Sequence, residues 1–317
     1  MVQGIPKVDL QNYLSHDSMK QKAFIQELGT AFSDIGFVAL RGHFLSPELI
    51  ASLYTEIKAF FDLPKAIKMK YHLPGKGGQR GYTPFGQETA KGFNQADLKE
   101  FWHFGQYLEG PDTSLFSYPD NVYVKELPAF NSVGKQVYQA LEKTAAAVLK
   151  AIACYLEIDP DYFVPFVTHG NSILRPIHYP PITQPPKQAV RAAAHGDINL
   201  ITLLMGAQGG GLEVQNRAGD WIPALAEEEE LMINMGDMMA RLTNNKLKST
   251  IHRVVNPPKE QWGHSRYSIP FFMHPVASMP LNCLDNCVDA SHPKAFEDIT
   301  AGAFLHERLI DLGLIKE

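Results

Sequence analysis

Two histidines and one aspartate are candidate ligands for a metal ion. His195 and Asp197 are separated by one residue, and His252 follows 55 residues after Asp197 on another predicted strand. If His195 and Asp197 share a strand, their side chains point to the same face, because successive residues alternate. Two neutral imidazoles and one carboxylate leave a divalent ion with a net positive charge and open positions. This set occurs at non-haem iron(II) centres, but zinc hydrolases can use a similar one, so the three residues alone leave the reaction open.

Arg266 and Ser268 form a second candidate group, at which a carboxylate could bind. Arg266 follows 14 residues after His252 and shares one face of a predicted strand with Ser268. A guanidinium and a hydroxyl side by side can hold one carboxylate together. A cosubstrate that chelates iron at one end and presents a carboxylate at the other end fits this pattern, and 2-oxoglutarate is such a molecule.

The region that carries both groups is predicted to be mainly β with flanking helices. Its short apolar runs are separated by Gly, Pro or Asn, which is typical of a sandwich or barrel of the jelly-roll kind. The predicted strands are 172–177, 190–194, 200–205, 212–215, 231–235, 238–242, 252–255 and 266–272.

Helix and strand signals alternate before this region. Ser46 followed by Pro47 is an N-cap with proline at the first helical position. In chain order, the predicted elements are a helix around 24–32, a strand at 37–40, a helix from 47, a loop at 75–86, a long helix over 137–156 and a C-terminal helix over 294–312. We therefore expect an N-terminal α/β region at 1–120, a connecting long helix at 121–160, a catalytic core at 161–280 and a C-terminal helical segment at 281–317.

Composition narrows the class of protein and of partner. The chain of 317 residues has 29 Lys and Arg against 34 Asp and Glu, a formal net charge of −5, and no basic cluster, so we expect no nucleic-acid partner.

The longest apolar helical stretch, 145–156, contains Lys150 and is too short to cross a membrane. Residues 1–10 mix Gly, Pro, Lys and Asp and lack an unbroken apolar segment, so we expect no signal peptide there. Three cysteines argue against a disulfide framework and favour the cytoplasm.

A series of short motifs runs along nearly the whole chain. The N-terminal motifs are IPKVDL at 5–10, FFDLP at 60–64, GYTPFG at 81–86 and KEFWHFG at 99–105. The later motifs are YPP at 179–181, HGD at 195–197, GLEV at 211–214, NMGD at 234–237, KSTIHRV at 248–254 and RYS at 266–268. Each motif is weak alone. In this order they resemble the iron(II)- and 2-oxoglutarate-dependent dioxygenases of the isopenicillin N synthase-like superfamily.

This resemblance implies a fold and a role for each motif residue. The fold would be a distorted double-stranded β-helix, or jelly roll. His195, Asp197 and His252 would be the iron ligands, and no catalytic residue beyond the metal centre is implied. The distal carboxylate of 2-oxoglutarate would be bound by Arg266 and Ser268. Tyr179 matches the family tyrosine that hydrogen-bonds the cosubstrate.

The sequence departs from the family pattern at two positions. Ile177 stands where many plant relatives have Asn, so one polar contact to the cosubstrate or substrate is missing. Gly196 replaces the commoner Thr or Ser between the ligands. We expect this second change to be tolerated, because the side chain at that position would face away from the metal.

The resemblance also implies a reaction. The enzyme would use Fe(II), O2 and 2-oxoglutarate to hydroxylate, desaturate or cyclise a small-molecule substrate, with release of succinate and CO2. An alternative within the superfamily is an oxidase that needs no 2-oxoglutarate, in which Arg266 and Ser268 hold the carboxylate of the substrate. A metal-dependent hydrolase and a noncatalytic small-molecule binding protein are alternatives from other classes.

Other residues have simpler explanations. His103, His178 and His274 lie in segments that the resemblance places near the pocket, but an ordinary structural role is favoured for each. The same holds for the aromatic side chains that could line an apolar pocket, for which core packing is the default. These are Phe101, Phe104 and Phe271.

Overall fold

The computed structural model describes residues 4–75, 78–87, 97–108, 118–186, 190–205, 210–227 and 229–311. The helices are α1 Leu10–Leu14, α2 Ser18–Asp34, α3 Pro47–Phe61, α4 Lys65–Lys68, α5 Pro128–Tyr155, α6 Val164–Val167, α7 Asp237–Leu242 and α8 Ala301–Asp311. The strands are β1 Lys7–Asp9, β2 Phe37–Arg41, β3 Gly81–Thr83, β4 Glu100–His103, β5 Ile173–Leu174, β6 Ile177–Tyr179, β7 Ala192–His195, β8 Ile201–Met205, β9 Leu212–Gln215, β10 Trp221–Pro223, β11 Leu231–Met235, β12 His252–Val254 and β13 Arg266–Met273.

The strands form a large sheet and a small sheet. The large sheet has the order β1-β2-β11-β8-β13-β6-β4-β3, with β5 also paired to β13, and the small sheet has the order β10-β9-β12-β7. Side chains from both sheets share one apolar cluster, in which Phe37 and Met232 of the large sheet meet Val214 and Val254 of the small one. The sheets therefore face each other, and the predicted jelly-roll fold with flanking helices is confirmed.

The helices cover the opposite face of the large sheet. Alternation along β8 directs Ile201, Leu203 and Met205 into the main core, and Thr202 toward the interior between the sheets. Helices α2, α3 and α5 bring their apolar faces to this core. At the start of α3, Ser46 Oγ accepts a hydrogen bond of 3.2 Å from Leu49 N, so the predicted N-cap is confirmed. No helix within the described ranges is both long enough and apolar enough to cross a membrane.

The prediction of a strand at 238–242 was wrong, because these residues form helix α7. Periodicity cannot separate helix from strand in so short an apolar run. Met238, Met239, Ala240 and Leu242 are all buried there, and Met, Ala and Leu are strong helix formers.

Two further local predictions need correction. The predicted loop at 75–86 contains β3, which pairs with β4. Gly81 is required in this strand, because its φ is +74° and a Cβ would lie 2.5 Å from Tyr71 O. The C-terminal helix begins at Ala301 and not near 294. Directly before the helix, Thr300 forms an isolated antiparallel β-bridge with Pro280, and Leu281 N donates to Ile299 O over 2.8 Å.

Candidate metal centre

Strands β7 and β12 of the small sheet bring the two histidines together. His195 and His252 are directly paired across these antiparallel strands, and their ring centroids are 4.5 Å apart. Asp197 lies two residues beyond the end of β7. The expected alternation along one strand is therefore not what places Asp197 beside His195, since the chain has already left the sheet at Gly196.

The three side chains present one ligand atom each to a common point. His252 Nε2 lies 3.8 Å from Asp197 Oδ1. One ligand atom from each of His195, Asp197 and His252 lies within 4.8 Å of the other two, and Asp197 and His252 are buried. Two imidazoles and one carboxylate at this spacing suit a divalent transition metal with coordination positions left open for other ligands.

Backbone carbonyls fix the orientation of both imidazole rings. His195 Nδ1 lies 2.7 Å from Ala193 O, and His252 Nδ1 lies 3.2 Å from Thr250 O. Because a carbonyl only accepts, Nδ1 carries the hydrogen in each ring and Nε2 keeps its lone pair for a metal. Burial, reinforced by the nearby His252, lowers the pKa of His195 to about 4. Its imidazole is therefore neutral near pH 7.

Asp197 is held through the oxygen that does not face His252. Thr202 Oγ1 donates to Asp197 Oδ2 over 2.6 Å, and Asn234 Nδ2 donates to the same oxygen over 2.7 Å. Burial opposes ionisation of Asp197, but the two histidines and these two hydrogen bonds outweigh it and lower the carboxyl pKa below its usual value. Oδ1 of the ionised carboxylate remains available to a metal.

Thr202 and Asn234 are not among the site residues predicted from the sequence. The two residues are directly paired between β8 and β11, on the face of the large sheet that looks toward the small sheet. A signal was present, because each is a polar residue at an inward position of an otherwise apolar strand, Ile201–Met205 or Leu231–Met235. Buried polar side chains at such positions need a partner, and here the partner is a candidate ligand.

Arg266, Ser268 and Tyr179 lie together on two paired strands. Arg266 is directly opposite Tyr179, and Ser268 is opposite Ile177, in the antiparallel pair β13–β6. The guanidinium carbon of Arg266 lies 5.0 Å from the centroid of the Tyr179 ring. All three polar side chains are buried. A charged guanidinium and two hydroxyls at one buried location form a site suited to a carboxylate.

Aromatic and basic side chains line the interior beyond this group. Phe101, Ile177 and Tyr179 form a small cluster separate from the main core. The guanidinium carbon of Arg175 lies 4.5 Å from the ring centroid of Phe101 and 5.1 Å from that of Phe272. Phe101 is therefore part of the interior lining. Phe104 and Phe271 belong to the main core instead, as the default for a phenylalanine suggested.

The three further histidines occupy different environments. His103 accepts a hydrogen bond of 2.5 Å from Arg175 Nε. Burial lowers the pKa of His274 to about 4, and the charge of Asp197 acts in the opposite direction. His178 faces away from the interior and stacks on Tyr267, with ring centroids 4.9 Å apart.

His178 belongs to a buried polar network behind Tyr179. Its Nδ1 lies 2.8 Å from Glu100 Oε1, and its Nε2 lies 2.9 Å from Ser265 Oγ. Glu100 also accepts hydrogen bonds from Lys68 Nζ, at 2.9 Å, and from the Tyr82 hydroxyl. Burial opposes ionisation of Glu100, but these hydrogen bonds and the charge of Lys68 lower its pKa. The network joins α4, β3, β4 and β6 to the start of β13.

Models of two protein families match the chain. The family described as non-haem dioxygenase in morphine synthesis N-terminal matches residues 5–126, and the 2OG-Fe(II) oxygenase superfamily matches residues 170–275. Among curated proteins, the chain is similar to a proline hydroxylase of Petromyces alliaceus. The two are 32% identical, and the alignment covers 96% of this chain and 98% of the relative.

The chain is also similar to solved structures over nearly its whole length. A 2OG-Fe(II) oxygenase family protein of Caulobacter crescentus is 46% identical, with a TM-score of 0.86, and the match covers 97% of this chain and 98% of that chain. A full-length protein of Neurospora crassa, solved in complex with alpha-KG and thymine, is 29% identical with a TM-score of 0.84, and the match covers 96% of each chain.

Proposed function

Because the chain belongs to the iron(II)- and 2-oxoglutarate-dependent oxygenases of the isopenicillin N synthase-like superfamily, we propose that His195, Asp197 and His252 hold its iron(II). The protein is a 2-oxoglutarate-dependent dioxygenase, and Fe(II) and 2-oxoglutarate are its cofactor and cosubstrate. One observation carries the assignment of the ligands. Their three ligand atoms lie within 4.8 Å of one another, while His195 Nδ1, His252 Nδ1 and Asp197 Oδ2 are engaged by protein groups.

We propose that Arg266, Ser268 and Tyr179 bind the distal carboxylate of 2-oxoglutarate. Their placement on adjacent paired positions of β13 and β6 supports this role. The burial of Arg266 adds support, because a guanidinium that is only 2% exposed strengthens hydrogen bonds to an anion that enters the site. The same residues would hold a substrate carboxylate in the 2-oxoglutarate-independent alternative. The alpha-KG bound to the Neurospora relative favours 2-oxoglutarate.

When both are bound, Fe(II) and 2-oxoglutarate supply the activation of O2 that the reaction needs. The chain supplies ligation and orientation. Asn234 and Thr202 hold the carboxylate of Asp197 in one rotamer, and backbone carbonyls hold both histidine rings. The apolar side chains of Phe101 and Ile177 limit the water that reaches the interior.

We propose hydroxylation of a small polar molecule, of the size of a free amino acid or a pyrimidine base. The rings of Phe101 and Phe272 suit the flat or apolar body of such a molecule, and Arg175 between them suits a carbonyl or carboxylate oxygen. Two relatives support this substrate class, since one is named a proline hydroxylase and the Neurospora protein was solved with thymine.

We also propose a cytoplasmic location for the protein. The free state of Cys154, Cys283 and Cys287 supports it.

A substrate screen scored by succinate tests the proposed substrate class. The purified protein with Fe(II), 2-oxoglutarate and O2 is incubated with free amino acids and with pyrimidine bases, and succinate is measured against a reaction without substrate. We expect substrate-dependent succinate from at least one of the two panels, lost without 2-oxoglutarate or O2. Product formation that needs O2 but no 2-oxoglutarate would establish the oxidase alternative. Turnover with zinc under anaerobic conditions would establish a hydrolase.

A further inference from the structure

Arg191 is a buried cation close to the group that we assign to 2-oxoglutarate. It lies just before β7 and is 4% exposed. Its guanidinium carbon lies 5.8 Å from the centroid of the Tyr179 ring, and that of Arg266 lies 5.0 Å from the same centroid. The ring of Tyr179 is thus close to two guanidiniums, one from β13 of the large sheet and one from the residue that precedes β7 of the small sheet.

The guanidinium of Arg191 has few hydrogen-bond partners among the described residues. Arg191 Nη2 reaches His264 O only at 3.5 Å. Its Nε is buried and has no hydrogen-bond partner within the described ranges. Among the residues that the structure describes, no carboxylate oxygen lies within 4.0 Å of an Arg191 nitrogen. A buried charge in a protein is normally paired, because burial without a partner is costly.

The charge of Arg266 adds to this cost. Burial lowers the pKa of Arg191, and the positive charge of Arg266 lowers it further. An arginine nevertheless stays protonated in a protein, so both side chains keep their charge. The polar surface around Tyr179 therefore carries two positive charges, and an anion bound near both would relieve the repulsion.

Within the described strands β6 and β13, the position opposite Ser268 supplies no hydrogen-bond donor for such an anion. Ile177 is opposite Ser268 on the paired strand, and its apolar side chain packs with Phe101 and Tyr179. The position therefore gives the large sheet no hydrogen bond to a bound carboxylate beyond those of Arg266, Ser268 and Tyr179. Arg191 approaches from the small sheet, where it can add one.

We propose that Arg191 is a second cationic binding residue for the distal carboxylate of 2-oxoglutarate, acting with Arg266 beside Tyr179. This inference rests on the proposed function. If the inference holds, the preference for a keto acid with a second carboxylate depends on Arg266 of the large sheet and on Arg191 next to the small sheet. An enzyme with only Arg266 at this location would bind the distal carboxylate through one guanidinium.

Direct binding of two keto acids tests the proposal. 2-Oxobutyrate shares the keto acid end of 2-oxoglutarate but lacks the distal carboxylate. Dissociation constants for both are measured anaerobically with the Fe(II)-loaded protein, by calorimetry and by the visible absorption of the chelate. The variants are Arg191→Met and Arg191→Lys, and Arg217→Met is the control because Arg217 is exposed and pairs with Asp34 on the surface.

We expect Arg191→Met to weaken 2-oxoglutarate binding by about tenfold or more, the size of a lost charge-assisted hydrogen bond. 2-Oxobutyrate binding should change by less than about twofold, since its contacts lie at the metal end. Arg191→Lys should recover part of the loss, and Arg217→Met should behave as the wild type. Arg191→Gln, a polar substitution, serves if Arg191→Met does not fold.

Three results would overturn the inference. Equal weakening of both keto acids would make Arg191 a structural residue. Unchanged 2-oxoglutarate binding in Arg191→Met would leave the proposed function intact but remove this role. Unchanged 2-oxoglutarate binding with a raised KM for substrate would assign Arg191 to a substrate anion. Failure of the proposed function itself is distinct, because the wild-type protein would then bind neither keto acid.

Discussion

Asn234, on strand β11 of the large sheet, donates a hydrogen bond of 2.7 Å to the Oδ2 atom of Asp197, which lies just beyond β7 of the small sheet. This contact and the 2.6 Å hydrogen bond from Thr202 leave only Oδ1 facing the histidines. The orientation of the single carboxylate in the candidate metal centre is therefore set by two residues that do not touch the metal position.

Loss of either hydrogen bond to Asp197 Oδ2 should weaken metal binding without unfolding the protein. We expect Asn234→Ala and Thr202→Val each to reduce Fe(II) affinity by about 10- to 100-fold, as is usual for the partners of ligating carboxylates. Affinity is measured by anaerobic titration, and Thr55→Val on the exposed face of α3 is the control. Wild-type affinity in both variants would show that Asp197 does not depend on this orientation.

Loss of the Arg266 charge should act on the cosubstrate. Arg266→Met is expected to raise the KM for 2-oxoglutarate by about tenfold or more, because a charge-assisted contact to its distal carboxylate is lost. The exposed Arg217→Met variant should leave this KM unchanged. A KM for 2-oxoglutarate that stays at the wild-type value in Arg266→Met would contradict the assignment of Arg266 to the distal carboxylate.

The buried ion pair behind Tyr179 should matter for stability. Lys68 Nζ lies 2.9 Å from Glu100 Oε2, with both side chains buried. Lys68→Met leaves a buried carboxylate without its cation, and we expect the free energy of unfolding to fall by about 3–5 kcal/mol in urea titrations. Lys70→Met is the control, because Lys70 is 58% exposed and its pair with Glu126 is at 3.5 Å. An equal loss in both variants would contradict this view of the network.

His274 should make the stability of the metal-free protein depend on pH. Its folded pKa is about 4, below the ordinary value of 6.5. The unfolded chain therefore takes up the proton first, and stability falls as the pH drops from about 6.5 toward 4. Between pH 7 and pH 5 the free energy of unfolding of His274→Gln should fall less than that of the wild type, by about 1–2 kcal/mol.

Urea unfolding at pH 7, 6 and 5 measures this difference, with the exposed His16→Gln variant as the control. Parallel pH profiles for the wild type and His274→Gln would contradict the low folded pKa of His274.

Local sequence patterns predicted the parts of the fold that depend on local rules. Ser46 with Pro47 marked the start of α3, and Gly-separated apolar runs marked most of the strands. The failures came where tertiary contacts decide. Residues 238–242 are apolar enough for either structure, and β3 exists only because it pairs with β4.

In the candidate site, too, some residues could be predicted from local patterns, whereas others are placed only by tertiary contacts. Spacing and motif order pointed to His195, Asp197 and His252, whose ligand atoms the structure brings together. The residues that orient them could not be found in this way, because Thr202 and Asn234 meet Asp197 only through the packing of different strands. Arg191 was missed for a related reason. Its relation to Tyr179 exists only where the two sheets face each other.

The visible charge-transfer absorption of an Fe(II)–2-oxoglutarate chelate tests the central claim most directly. Fe(II) and then 2-oxoglutarate are added to the metal-free protein under anaerobic conditions, with His195→Ala and His252→Ala as the test variants and His16→Ala as the control. We predict the absorption band in the wild type and in His16→Ala, and its loss in both test variants. A wild type without the band, or His252→Ala with an undiminished band, would contradict the proposed metal centre.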